Sequence, residues 1–103
     1  MLVLAGTLTI DPSGRETVAD AVRAITAATR NEAGCVEYRF SFDVDDDGLV
    51  HVFEAWEDEA VWLAHMGTPH VAAFGASVGA LMKDAALQRY DVSGVGPLAL
   101  PGQ

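Results

Sequence analysis

The sequence is poor in cysteine and in basic residues, and both shortages restrict what the protein can be. Its single cysteine, Cys35, excludes an intramolecular disulfide and suits a reducing compartment. Six Lys and Arg stand against 15 Asp and Glu, which gives a net charge of −9. Nucleic acids and anionic membrane surfaces are bound through clustered positive charge, so the composition argues against both partners.

Long apolar runs are absent as well. No segment is long enough to span a bilayer, and the apolar stretch from Met1 to Ile10 lacks the basic start and the small-residue cleavage site of an export signal. We therefore predict a cytoplasmic protein that binds neither nucleic acid nor membrane.

Apolar surface is what the chain has in excess. Half of the 103 residues are hydrophobic, and the mean hydropathy is positive. A chain of this length forms one domain and buries only about two-thirds of its unfolded surface. The apolar content is therefore higher than one small monomer easily buries. We expect a homodimer with a buried interface.

Alternation and helical spacing predict four strands and three helices. Four segments alternate with the period of two that is typical of strands; they are Met1–Ile10, Cys35–Phe42, Leu49–Glu57 and Asp84–Val92. Three segments carry helix signals; they run from Ser13 to Arg30, from Asp58 to His65, and from Thr68 to about Lys83.

The helix starts are the most specific local signals. Ser13 and Glu16 have the S-x-x-E spacing of a capping box. Asp58 and Thr68 are good N-cap residues, and Pro69 fits the first helical position, where no backbone N–H is needed.

The element order β-α-β-β-α-β predicts an α+β protein with the ferredoxin-like split β-α-β fold. Residues 1–92 would form this domain around a four-stranded antiparallel sheet, and residues 93–103 an irregular tail. The helices cover one sheet face. The other face also carries apolar residues, among them Val3 and Phe53, and therefore needs a partner sheet.

An acidic turn between the second and third strands offers an alternative function. Asp43, Asp45, Asp47, Gly48 and Glu54 fill the positions of the EF-hand calcium pattern D-x-D-x-D-G-x5-E. An EF-hand needs a helix entering this loop, whereas the preceding residues have strand period. An exposed hairpin loop that binds a cation weakly at most is the favoured interpretation.

The densest chemistry lies between Glu54 and Phe74. His65 and His70 are five residues apart across a helix break, so their side chains can converge from two helix ends. With no obvious third ligand for a metal, we predict no metal site and treat the two histidines as candidate catalytic groups or as helix-end residues bonded to backbone.

Several further residues in and near this stretch are candidates for a substrate pocket. Glu54 shares a strand face with apolar residues, so it should be paired, raised in pKa, or functional. Large aromatic rings serve equally well as core or as the wall of a pocket for a flat ligand; they are Trp56, Trp62, Tyr38, Phe40 and Phe74.

Three motifs in register resemble the antibiotic biosynthesis monooxygenase family, in particular its quinol monooxygenase-like members. They are Gly34-Cys35-x-x-Tyr38, Glu54-x-Trp56-Glu57, and His65-x-x-Thr68-Pro69-His70 followed by Phe74. The resemblance covers residues 1–92. It implies a dimeric α/β-barrel made by sheet-to-sheet packing, and a pocket between sheet and helices in each subunit.

The same resemblance implies the chemistry. Oxygenases of this family use no metal, flavin or haem, and they act on quinols, anthrones or similar electron-rich aromatic compounds together with O2. Carried over by position, Trp56 is a pocket wall, Trp62 lies where some members have a pocket tyrosine, and His65 and His70 are the polar groups of the helix pair.

Two departures from the family pattern bear on function. Some of its oxygenases have an asparagine four residues before the strand tryptophan, where this chain has Val52. Haem-degrading relatives have an asparagine in the first strand and a histidine inside the last long helix, and this chain has neither, so haem degradation is disfavoured. A non-catalytic small-molecule-binding or stress-response dimer, or an isomerase acting on a small polar metabolite, are the alternatives.

Overall fold

A computed structural model describes residues 1–102 as four strands and three helices. In chain order these are β1 (Leu2–Ile10), α1 (Arg15–Thr29), β2 (Cys35–Phe42), β3 (Leu49–Trp56), α2 (Glu59–Met66), α3 (Pro69–Val78) and β4 (Met82–Asp91). Two short 3-10 turns, Pro12–Gly14 and Gly79–Leu81, precede α1 and follow α3. The tail after β4 forms no further strand or helix within the described residues.

The strands form one antiparallel sheet in the order β2-β3-β1-β4. Sheet and helices together give the predicted ferredoxin-like α+β fold. In the central pair, Leu2 lies opposite Trp56 and Leu4 opposite Glu54. The predicted sheet and helix layer are thus confirmed.

The core lies between the sheet and the helices and has two parts. Near the end of the sheet that carries Ile10, one cluster contains Leu8, Ile10, Val18, Val50, Val52 and Val78. At the opposite end a more aromatic cluster contains Leu2, Ile25, Tyr38 and Trp56, with Trp62 and Phe74 packed against it. Val50 and Trp56 are completely buried, which confirms the predicted inward face of β3.

The ends of two predicted helices differ from the structure. Ser13 does not form a capping box, because it lies inside the 3-10 turn, where its backbone N–H donates to the Asp11 carboxylate at 3.0 Å. Helix α1 begins one residue later than a cap at Ser13 would place it, at Arg15, and its N-cap residue Gly14 forms no side-chain cap. The last helix ends at Val78 rather than near Lys83, since Met82 already belongs to β4.

Strand β2 departs from simple alternation at its first residues. A register shift between Cys35 and Glu37 turns Cys35 toward the aromatic cluster and leaves Val36 48% exposed. The residue before the strand is Gly34, whose φ of +83° favours glycine, and a Cβ there would meet the Val61 side chain at 2.7 Å. Strict alternation over Cys35–Phe42 would place Val36 on the same face as Tyr38, and the register shift makes that wrong. Only the residues from Tyr38 onward alternate.

The acidic turn is a loop between two strands. One oxygen of the Asp43 carboxylate accepts the backbone N–H groups of Asp45 and Asp46, and the other lies 2.8 Å from His51 Nε2. Because strands flank the loop and Glu54 is buried in the core, the EF-hand alternative was wrong and the hairpin interpretation is confirmed.

The sheet face away from the helices is apolar and largely uncovered. Val36, Phe53 and Tyr90 are 38–48% exposed there. A hollow of about 290 Å³ on this face is lined mainly by apolar side chains; they include Met1, Val3, Phe53 and Val95. Within residues 1–102 no helix has the length and apolarity needed to cross a membrane.

Candidate active site

Two histidines and one glutamate meet at the edge of the aromatic cluster. His65 Nδ1 lies 2.6 Å from Glu32 Oε2, and His70 Nε2 lies 3.1 Å from the same oxygen. The side chains of Glu32, His65 and His70 are only 17%, 3% and 23% exposed. One carboxylate oxygen thus links the two imidazoles in a largely buried network.

The helix break between α2 and α3 positions both histidines. Asp58 caps α2 by accepting the backbone N–H of Val61 at 3.0 Å, and α2 ends at Gly67. Thr68 then caps α3, and its hydroxyl also donates to the His65 carbonyl at 2.7 Å. Because these caps fix where one helix ends and the next begins, His65 and His70 arrive from two helix ends with their ring centres 5.8 Å apart.

Aromatic rings surround His65 on its inner side. Its ring centre lies 4.6 Å from that of Trp56 and 5.4 Å from that of Tyr38. Trp56 in turn meets Tyr38 edge to face at 6.3 Å. This packing restricts the His65 ring, so Glu32 and the aromatic wall together determine its orientation.

Glu54 is a second buried carboxylate close to this network. It is 7% exposed and accepts a hydrogen bond from Trp56 Nε1 at 3.1 Å. Burial raises the pKa of Glu54, against the lowering effects of the Trp56 hydrogen bond and of His65 nearby. The sequence-based expectation that this carboxylate would be paired or raised in pKa is met on both counts.

Tyr38 faces Glu54 across the β2–β3 pairing. Burial, followed by the charge of Glu54, raises the pKa of the Tyr38 phenol. The phenol therefore stays protonated at neutral pH and contributes a polar but uncharged wall.

A narrow cleft opens beside His70, between α1 and α3. Its volume is about 90 Å³, and small side chains make up much of its lining; the residues are Ala21, Ala24, Ile25, His70, Ala73, Phe74 and Ser77. His70 is the member of the histidine pair that lines this cleft, so it is the one placed to meet a molecule entering from solvent.

The eight residues predicted for the site lie in two layers. His70 and Phe74 line the cleft. The other six lie behind it, in or against the aromatic core; they are His65, Trp56, Trp62, Tyr38, Phe40 and Glu54. Phe40 connects the layers, since its ring meets that of Phe74 at 5.8 Å.

Glu32 was missed by sequence analysis. It lies between α1 and β2, 33 residues from His65 and 38 from His70, so no local spacing connects the three. The available signal was chemical: a pair of converging histidines usually has a carboxylate partner, and Glu32 directly precedes the Ala33-Gly34-Cys35 start of β2.

The fold and the site define a class: a ferredoxin-like α+β domain with a histidine–carboxylate network at the edge of its helix layer. Residues 1–77 match the profile of the antibiotic biosynthesis monooxygenase family. The chain belongs to this family.

Individual relatives agree with this assignment. The crystal structure of PA3566 from Pseudomonas aeruginosa is 31% identical, covers 89% of this chain and 94% of that one, and has a TM-score of 0.81. A Nitrosomonas europaea protein, provisionally named an antibiotic biosynthesis monooxygenase, has a TM-score of 0.85 over 91% of this chain and 100% of its own. At 19% identity it shows the fold alone.

A curated relative is longer than this chain. The uncharacterized Synechocystis protein sll1783 is 28% identical over 93 residues, which are 89% of this chain. The match covers 63% of the Synechocystis protein, so the chain spans less than two-thirds of that relative's length.

Proposed function

We propose that this protein is a monooxygenase that uses O2 and no cofactor to oxidise a small electron-rich aromatic compound, a quinol, an anthrone or a related phenol. The observation that carries the proposal is the network of His70, Glu32 and His65, with His70 lining a cleft open to solvent. Family membership supplies the general monooxygenase-like fold, and the network supplies a base where a substrate can reach it.

The first step is a proton transfer. His70 takes a proton from the substrate, and Glu32 stabilises the resulting imidazolium through its oxygen 3.1 Å from His70 Nε2. His65, held at 2.6 Å from the same oxygen, orients Glu32. A positioned base of this kind contributes about 10²–10⁴-fold to a rate.

Reaction with O2 follows from the substrate anion. One electron passes from the anion to O2, and the resulting radical and superoxide combine to form a C–O bond. The peroxide takes up the proton held by His70, and for an anthrone CH2 group the hydroperoxide then loses water to leave a carbonyl. One oxygen atom of O2 enters the product and the other leaves as water, so the reaction balances without an added reductant.

The size of the cleft limits how a substrate enters. An apolar cavity of about 150 Å³ binds benzene, whereas this cleft measures about 90 Å³. A whole ring therefore enters only if α3 moves away from α1 or the Phe74 ring turns. Small residues such as Ala24 and Ala73 line the cleft on both helices, so few bulky side chains stand in the way of an entering ring.

A second copy of the chain completes the proposal. The exposed side chains of Val36, Phe53 and Tyr90 give the outer sheet face an apolar surface that suits the same face of another subunit. The proposed assembly is a homodimer that packs sheet to sheet, with one cleft per subunit on the far side of each sheet.

Oxygen consumption by chelator-treated protein tests this function. With a panel of quinols and anthrones, we expect turnover by the native protein and a 10²–10⁴-fold lower kcat for His70→Asn. The matched control is His51→Asn, which alters an exposed histidine paired with Asp43 far from the cleft. Equal rates for native protein and His70→Asn, with both folded, would refute the proposed role of His70.

A further inference from the structure

The network that links the histidines also has the composition of a transition-metal site. Glu32, His65 and His70 each offer one donor atom, and these three atoms all lie within 4.8 Å of one another. We propose that these three side chains bind a divalent metal ion of the zinc type, and that the bound ion blocks the base.

The donor set selects the class of ion. Two imidazole nitrogens and one carboxylate oxygen are ligands of catalytic zinc and related ions, whereas calcium and magnesium prefer oxygen ligands alone. The acidic loop of Asp43 to Gly48 offers only oxygen ligands, and the Asp43 carboxylate already accepts hydrogen bonds from backbone N–H groups. The network is therefore the better site for a transition metal.

The distances are close to those of a coordinated ion. Ligands bound to zinc at about 2.0–2.1 Å in a tetrahedron lie about 3.3 Å from one another. Glu32 Oε2 is 3.1 Å from His70 Nε2 and 2.6 Å from His65 Nδ1. For an ion to bind, the Glu32–His65 pair must lengthen to that separation, and the two imidazole nitrogens, now at most 4.8 Å apart, must reach it as well.

The three ligands come from different parts of the fold. Glu32 lies in the connection from α1 to β2, His65 near the end of α2, and His70 in the first turn of α3. The Trp56 ring packs on His65, which restricts one ligand before the ion arrives. Three protein ligands leave a fourth position of a tetrahedral ion for water or a small ligand, on the side where His70 lines the cleft.

Metal binding and acid–base function are mutually exclusive in this arrangement. A coordinated nitrogen must give up its proton or move it to the other ring nitrogen, and its lone pair is then engaged by the ion. The loaded protein has no free base at His70. This inhibitory role rests on the proposed oxygenase function, whereas binding of the ion does not.

Cobalt is the probe for binding, because Co²⁺ occupies zinc sites and absorbs visible light when coordinated. Titration of the chelator-treated full chain should give one saturable Co²⁺ per chain, with the visible bands of a four-coordinate ion, and Zn²⁺ should displace it. Glu32→Gln and His70→Asn should each raise Kd at least about 100-fold, since even residues that only support a metal ligand cost about 10–100-fold. His51→Asn should leave Kd unchanged.

Two results would overturn the metal site. One is the absence of saturable Co²⁺ binding by the folded native protein. The other is binding that persists at native affinity in both Glu32→Gln and His70→Asn, with their thermal unfolding showing that they are folded.

Measurements of O2 consumption with and without the metal ion distinguish the metal site from the proposed oxygenase function. Zn²⁺ at one equivalent should abolish O2 consumption, and chelator should restore it. Co²⁺ binding without any oxygenase activity in the chelated protein would leave the metal site standing and remove the proposed function, while turnover unaffected by a bound ion would overturn the inhibitory role.

Discussion

At the residue scale, burial distinguishes the network of Glu32, His65 and His70 from the other histidine–carboxylate pair. His51 and Asp43 also lie at hydrogen-bond distance, 2.8 Å, but the His51 side chain is 49% exposed and solvent screens the pair. The His65 side chain is 3% exposed. Hydrogen bonds are stronger where water is excluded, so we place the proposed proton transfer at this network.

The buried Glu54 carboxylate should make the free energy of unfolding depend on pH. Its folded-state pKa lies above the ordinary value of 4.5, so the folded protein holds this proton more tightly than the unfolded chain does. The stability it contributes is therefore full below pH 4.5 and is lost as the pH rises through the folded pKa. Glu54→Gln, which stays neutral and keeps an oxygen for Trp56 Nε1, should be more stable than the native protein at about pH 8.

Urea unfolding at two pH values measures this effect. The advantage of Glu54→Gln should shrink toward zero at about pH 4, and the exposed control Glu57→Gln should show no such trend. A Glu54→Gln protein that is less stable than the native one at both pH values would contradict this account of the buried carboxylate.

The residues of the site were only partly accessible from sequence. Local sequence patterns identify three of them: a helix break marks His65 and His70, and a carboxylate on an apolar strand face marks Glu54. Glu32 has no such pattern, since its role depends on how the connection from α1 to β2 folds back over the helix break. It contacts His65, which lies 33 residues further along the chain.

At the scale of elements, the cleft depends on the close packing of α1 against α3. Small residues on both helices bring them together, and the Phe74 ring closes one side of the cleft. If the proposed substrate binds in this cleft, its access depends on side-chain size at this contact.

A larger side chain at the cleft tests this point. Ala73→Leu places a bulky group in the cleft, and Ala76→Leu places the same group elsewhere on α3. Ala73 is exposed at this cleft, so a leucine there takes up space that the substrate needs rather than straining a packed core. Each 1.36 kcal/mol of binding lost in the transition state is a factor of about ten in rate. We expect kcat/KM for the quinol or anthrone to fall at least about tenfold for Ala73→Leu only.

Steady-state kinetics of both variants provide the measurement. Similar losses for the two leucine variants would show that the substrate binds elsewhere, because only one of the substituted positions lines the cleft.

Strong local patterns predicted which segments form strands and helices, but they did not predict where some of these elements begin and end. Strand alternation and the caps at Asp58 and Thr68 were sufficient for the sheet and for the helix break. The end of α3 was predicted too late because Gly79, Ala80 and Leu81 are compatible with a helix. In the structure the chain leaves the helix earlier, because β4 pairs with β1 from Met82 onward. The shift at Cys35 is likewise decided by pairing with β3 and not by alternation.

At the scale of the whole molecule, the outer sheet face explains the high hydrophobic content. Its exposed apolar side chains have no cover within residues 1–102 of a single chain. A second copy is the simplest cover, and sheet packing would leave both clefts open on the outside of the assembly.

A charge on this face should separate the subunits. Phe53→Asp places a carboxylate on the proposed interface. We expect analytical ultracentrifugation to give the mass of a dimer for the native protein and that of a monomer for the variant. Val44→Asp is the control, because Val44 is 96% exposed in the acidic loop, away from this face. A native protein that is monomeric at high concentration, or a Phe53→Asp protein that stays dimeric, would argue against the proposed interface.

The central claim is that metal-free protein transfers an oxygen atom from O2 to an aromatic substrate at the network of His70 and Glu32. Its most direct test is the reaction of the chelated protein with an anthrone or quinol under ¹⁸O2 in ordinary water, followed by mass spectrometry of the product at early times. We expect one ¹⁸O atom per product molecule and no product without O2. Product that forms anaerobically, or that takes its new oxygen from water in rapidly quenched samples, would contradict it.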